Sequence, residues 1–158
     1  MAKVLEISPL VIFAVLGFQL ARIDFKQKIL PNELVAKLSV FVLGTCFAYS
    51  ALLGDWAKLR SGIWFGFSYL AVFLGLFFLS RGQLGFGDVK FSFVCGLTLG
   101  WTANQYLFES LFLAFGGAGI VSILLLATQK IRLKSQIAFG PFMYFGVIFS
   151  SLIAIFSG

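Results

Sequence analysis

The chain has 158 residues, of which 60% are hydrophobic and only 11% charged, with a formal charge of +6 and a mean hydropathy of +1.02. Soluble domains run at about 45–50% apolar and about 25% charged, so too few charges exist here to cover a water-soluble enzyme of this length. No histidine occurs, which excludes Ser-His triads, histidine-ligated zinc and histidine proton shuttles.

Charge-free runs divide the chain at residues 7–21, 38–54, 61–80, 91–108, 110–129 and 135–158. About 20 mostly apolar residues cross the hydrocarbon core, and about 17 are tolerated. The runs therefore predict an all-α, six-transmembrane-helix bundle, with residues 1–158 forming one membrane-embedded domain. The first run reaches spanning length if Val4 and Leu5 are added and Glu6 lies at the interface. Glu6 and Pro9 fit the rival reading, a cleaved signal peptide, poorly.

Nine of the twelve basic residues (Arg22, Lys26, Lys28, Lys37, Arg81, Lys90, Lys130, Arg132 and Lys134) fall in the connections after spans one, three and five. Lys3, Lys58 and Arg60 fall on the other side. The positive-inside rule puts the first set in the cytoplasm and both termini outside. Topology thus accounts for the positive charge, and the chain has no room for the folded basic surface that a nucleic-acid partner requires. Cys46 and Cys95 lie far apart in apolar runs, so buried free thiols are expected, with no disulfide framework or CxxC metal site. Gly62 with Gly66, and Gly96 with Gly100, form small-xxx-small pairs suited to close helix packing. The 21 phenylalanines read as lipid-facing groups and core filler.

Only six acids occur. Glu6, Asp55 and Glu109 sit at outer span ends, where an acid avoids the cost of the bilayer midplane. Asp24, Glu33 and Asp88 belong to the cytoplasmic side. Asp24 follows the first span, and Asp88 ends a Gly85-Phe86-Gly87-Asp88 element that leads into the fourth. Two carboxyls brought together share a proton: the charged member can activate water while the protonated one polarises a carbonyl. That chemistry hydrolyses amides without histidine, serine or metal. Gly85 and Gly87 would admit an extended peptide and permit φ > 0, and a helix starting near Asp88, with Lys90, would favour its ionised form. Pro31-Asn32 reads as a helix start with Asn32 as the cap. Taken singly, Asp24 is also a loop acid balanced by Lys26 and Lys28, and Gly-x-Gly-Asp a tight turn.

Together these residues resemble the bacterial type IV prepilin peptidases, membrane aspartic proteases of the Gly-x-Gly-Asp type. Asp24 with Ile29-Leu30-Pro31-Asn32 is similar to the first catalytic aspartate and its Ile-Pro-Asn element. Gly85-Phe86-Gly87-Asp88-Val89-Lys90 matches the second motif without departure. Leu99-Gly100-Trp101 resembles the Leu-Gly-Trp ending the next span. Ile137-Ala138-Phe139-Gly140-Pro141-Phe142 resembles the opening of the last span, with Ala138 in place of a proline.

The resemblance implies an aspartic endopeptidase, multi-pass in the cell's inner membrane. It would cut the basic leader from prepilin or pseudopilin precursors at the cytoplasmic face, with Asp24 and Asp88 as the catalytic pair. Gly85, Gly87 and Lys90 would shape the second motif, Pro31 and Asn32 the first, and Gly140-Pro141 would pack near the site. Glu33 is left as a docking group for the basic leader. No cofactor or metal is implied. Besides precursor and membrane lipid, a second copy of the chain is a candidate partner. Longer relatives carry a CxxC zinc loop and methylate the new N-terminus. No CxxC is present here, so peptidase activity without methyl transfer is expected. The alternatives are an intramembrane protease of the presenilin or signal-peptide-peptidase type, disfavoured because Asp24 follows Ile23 at a span end, and a non-enzymatic small carrier or secretion-machine subunit.

Overall fold

The structure, a computed structural model, describes residues 2–80, 84–127 and 138–157. Arg81, Lys130, Arg132, Lys134 and Ile137, which carry part of the topology and motif readings, lie outside the described residues. Among the described residues six α-helices follow one another: α1 (Ala2–Gln27), α2 (Asn32–Leu53), α3 (Trp56–Leu79), α4 (Phe86–Thr102), α5 (Leu107–Ala127) and α6 (Gly140–Ser157). A 3₁₀ turn at Asn104–Tyr106 precedes α5, and no strand occurs among the described residues. Each predicted run contains one helix. Residues Leu5–Gln27, Asn32–Leu53, Trp56–Leu79 and Gly140–Ser157 are long and apolar enough to cross a membrane, which makes this a multi-pass membrane protein. The 17 residues of α4 reach only about 25 Å at 1.5 Å per residue, the lower edge of spanning length.

Local signals set the helix ends. Pro9 lies inside α1 and cannot donate to the Leu5 carbonyl. The Ser8 hydroxyl donates to that carbonyl instead, at 2.7 Å, so the helix continues. Pro31, in extended conformation, is the N-cap of α2, and its carbonyl accepts from the amides of Leu34 and Val35. Asn32 is thus the first helical residue and not the cap, a correction to the sequence reading: the fixed φ of proline already sets the helix entry. Gly54 at φ 73 ends α2, and Asp55 caps α3 by accepting the Lys58 amide at 3.3 Å.

Around α4 stand α1, α2, α3 and α6, while α5 packs mainly on α6 at the periphery. Accordingly α4 is buried nearly all round, whereas α2 buries one stripe, Val35, Leu38, Val42, Cys46, Tyr49 and Ser50. Phe13 of α1 stacks between Phe91 of α4 and Tyr144 of α6, with ring centres 6.0 and 5.7 Å apart. Phenylalanines divide as expected: Phe13, Phe73 and Phe91 are core, while Phe108, Phe112 and Phe156 face outward. Both cysteines are buried free thiols.

The two small-xxx-small pairs prove to be halves of one interface. Gly62 and Gly66 of α3 meet α4 at Leu97 and Phe93, and Gly96 and Gly100 of α4 meet α3 at Phe65 and Ser61. A Cβ at Gly100 would stand 2.6 Å from Phe65 Cβ, and one at Gly96 would collide with the Phe65 carbonyl. Ser61 seals the seam by donating to the Gly100 carbonyl at 2.9 Å. At the end of the bundle away from Asp24, Glu6 pairs with Lys58, and the Trp101 indole donates to the Glu6 carbonyl at 2.9 Å. Gly96→Val is expected to lose roughly 1–3 kcal/mol of stability through overpacking. Gly44→Ala, whose new methyl meets nothing within 4 Å, should gain up to about 1 kcal/mol; thermal unfolding in detergent reads both.

Candidate active site

Asp24 is not in a loop. The helix that carries it runs three residues further, to Gln27, because the cations beyond the apolar run point outward. Arg22, Phe25 and Lys26 are exposed, while Leu20, Ala21 and Asp24 face the bundle. Asp24 is only 3% exposed, and its Oδ2 accepts the Gly140 amide at 2.9 Å. Gly140 is the first residue of α6, so its N–H has no acceptor within its own helix, and the carboxylate of α1 supplies one. A Cβ on Gly140 would stand 2.8 Å from Oδ2, so glycine is what lets the carboxylate in. Pro141 follows, buried in the first turn of α6, where a missing N–H costs nothing.

Lys28 ends α1 at φ 54, the only non-glycine residue with positive φ among the described residues. Its amide donates to the Asp24 carbonyl at 2.7 Å, closing the final turn. A side chain in this conformation costs about 1–2 kcal/mol that glycine would avoid.

Asp88 occupies the first turn of α4, ahead of the charge-free run that begins at Phe91. Gly85 is the N-cap, with φ −69 and ψ 139, and its carbonyl accepts the Asp88 amide at 3.0 Å. Gly-x-Gly is therefore a helix start and not a tight turn, and neither glycine uses positive φ. What the glycines provide is space. A Cβ at Gly87 would stand 2.9 Å from Leu30 Cβ, and one at Gly85 would stand 3.2 Å from Asp88 Oδ2. Gly87 thus lets α4 rest on the connection between α1 and α2.

Asp88 is 7% exposed, and its Oδ1 has no hydrogen-bond partner among the described residues. Lys90, expected to favour the ionised form of Asp88, is engaged elsewhere: its ammonium donates to Asn32 Oδ1 at 3.0 Å and lies 5.0 Å from the centre of the Phe86 ring.

Asp24 and Asp88, 64 residues apart in sequence, line one cleft of about 310 Å³. Lys28, Ile29, Leu30 and Asn32 form one wall, and Gly85, Phe86, Gly87 and Lys90 the other. Pro31 and Pro141 do not line the cleft; they stand at the starts of α2 and α6. Glu33 lies outside the cleft on the first turn of α2, its carboxylate 88% exposed and 4.0 Å from Lys37. Among the described residues, no three His, Cys, Asp or Glu side chains gather as a metal site.

Sequence reasoning missed two residues. Lys28 reads as a counter-charge, since left-handed backbone at a lysine leaves no compositional mark. Gly140 was placed near the site but not on Asp24. A glycine followed by proline at a helix start does signal an unpaired amide open to close approach.

The profile of the type IV leader peptidase family matches residues 11–157. Two curated proteins, the prepilin leader peptidase/N-methyltransferases of Burkholderia pseudomallei strains 1026b and K96243, are each 30% identical to the chain over 132 residues. The alignment covers 80% of this chain and 40% of each relative, so the chain spans well under half their length. No solved structure matches the chain. The family match runs through both aspartates and through the start of α6 that holds Asp24: the chain belongs to the type IV leader peptidase family.

Proposed function

We propose that this chain is a membrane aspartic endopeptidase that removes the basic leader from type IV prepilin or pseudopilin precursors, with Asp24 and Asp88 activating water. The observation that carries the reading is the cleft shared by two buried carboxyls from different helix ends. In the one-proton state of the pair, Asp88 is the better seat for the proton, because one of its oxygens is buried without a donor while Asp24 keeps the Gly140 amide. Ionised Asp24 takes a proton from water as the oxygen attacks the scissile carbonyl carbon. The carbonyl electron pair moves to oxygen, which receives the Asp88 proton. Collapse of the tetrahedral species returns a proton to Asp88, breaks the C–N bond and passes the proton on Asp24 to the leaving nitrogen.

We further infer six spans with the cleft facing the cytoplasm and both termini outside, since Arg22, Lys26, Lys28, Lys37 and Lys90 cluster at the cleft end. Exposed Glu33 is the acid we assign to docking the basic leader. Of the two activities in the relatives' names, we assign the peptidase alone, because the two cysteines sit in different helices and form no CxxC.

Asp24→Asn and Asp88→Asn should each reduce cleavage of a co-expressed prepilin by about 10²–10⁴-fold while still inserting in the membrane; processing at the wild-type rate in either refutes that residue's role. Gly140→Ala should displace the Asp24 carboxyl, cost about 10²-fold in kcat/KM and, by leaving a buried amide unpaired, lower the melting temperature by the equivalent of about 1–3 kcal/mol.

A further inference from the structure

The cleft holds two cations, and they differ in one respect. Lys90 is engaged, by Asn32 and the Phe86 ring. Lys28 lines the same cleft with an exposed side chain, and its ammonium has no hydrogen-bond or ion-pair partner among the described residues. Its backbone sits at φ 54, where glycine is favoured. A lysine at a helix C-terminus complements the macrodipole, but Lys26 already does so in the last turn of α1. A position that glycine would fill with less strain carries a long cation, rooted by its own amide on the carbonyl of Asp24.

We propose that Lys28 is a substrate-binding residue of the cleft: its ammonium donates to a main-chain carbonyl of the peptide strand beside the scissile bond and fixes the strand's register over Asp24 and Asp88. This rests on the peptidase reading of the cleft. A strand entering the cleft leaves carbonyls that need donors, and of the two cleft ammoniums only Lys28 has all its donors free. Because Lys28 and Asp24 share one hydrogen-bonded turn, backbone geometry sets the spacing between the strand's anchor and the group that activates water. An interaction made equally in ground and transition states appears in KM and leaves kcat alone.

The test uses the full chain in detergent micelles with a fluorogenic peptide spanning a prepilin leader junction. It compares wild type, Asp24→Asn, Lys28→Gly and Lys28→Arg. Lys28→Gly is expected to melt at or above the wild-type temperature, since it relieves the left-handed strain. Its KM should rise about tenfold with kcat held within about threefold, the loss of one charge-assisted hydrogen bond. Lys28→Arg should recover most of the KM. An unchanged KM in Lys28→Gly, with Asp24→Asn inactive, overturns the assignment and leaves the peptidase reading standing. A KM rise that comes with a lower melting temperature and is not recovered by Lys28→Arg marks a structural role and also overturns it. A wild-type chain that cleaves no junction peptide overturns both.

Discussion

One hydrogen bond organises this bundle: the Gly140 amide, at the start of the last helix, is held by a carboxylate at the end of the first, 116 residues earlier. A buried helix start needs acceptors for its free amides. By lending Asp24 to that task, the fold satisfies α6 and fixes the acid in one place with one gesture. The same bond engages only one of the two carboxylate oxygens. It also explains why a residue that composition would place on the surface is almost wholly buried.

The remaining half of the site depends on missing side chains. Gly87 allows α4 to settle on Leu30, while Gly96 and Gly100 allow the same helix to press against α3. Without a hydrophobic drive between helices inside lipid, close packing must supply the attraction, and each absent Cβ extends the contact. The central helix is therefore gripped along its length, and Asp88 at its head inherits that rigidity. A buried carboxyl next to another is an unfavourable arrangement, and a rigid support is what keeps the two from separating.

Much of this was legible in the residues. Long runs without charge foretell helices because an unpaired peptide group is intolerable in lipid, and each run does hold one. Helix ends were less legible. The first run stops at residue 21, yet α1 continues to Gln27, since the cations that follow fall on its outer side and do not break it. Likewise a Gly-x-Gly tetrad reads as a turn when only local propensity is weighed, and becomes a helix start once Leu30 is there to fill the gap. Side-chain partners separated by more than a hundred positions, such as Asp24 and Gly140, leave no local pattern; only the Gly-Pro opening of the last helix hints that something must come close. The strain at Lys28 is invisible in composition altogether.

The clamp of Glu6, Lys58 and Trp101 lies at the opposite pole from the cleft. Asp24 lies eighteen residues on from Glu6 in α1, a distance of about 27 Å. Three residues along from the clamp stands Pro9, where the helix lacks a regular rung and leans on a serine instead. The first helix is thus moored at both poles, by Lys58 and Trp101 at one and by the Gly140 amide at the other, so its weak rung lies between two moorings and the position of Asp24 does not depend on it.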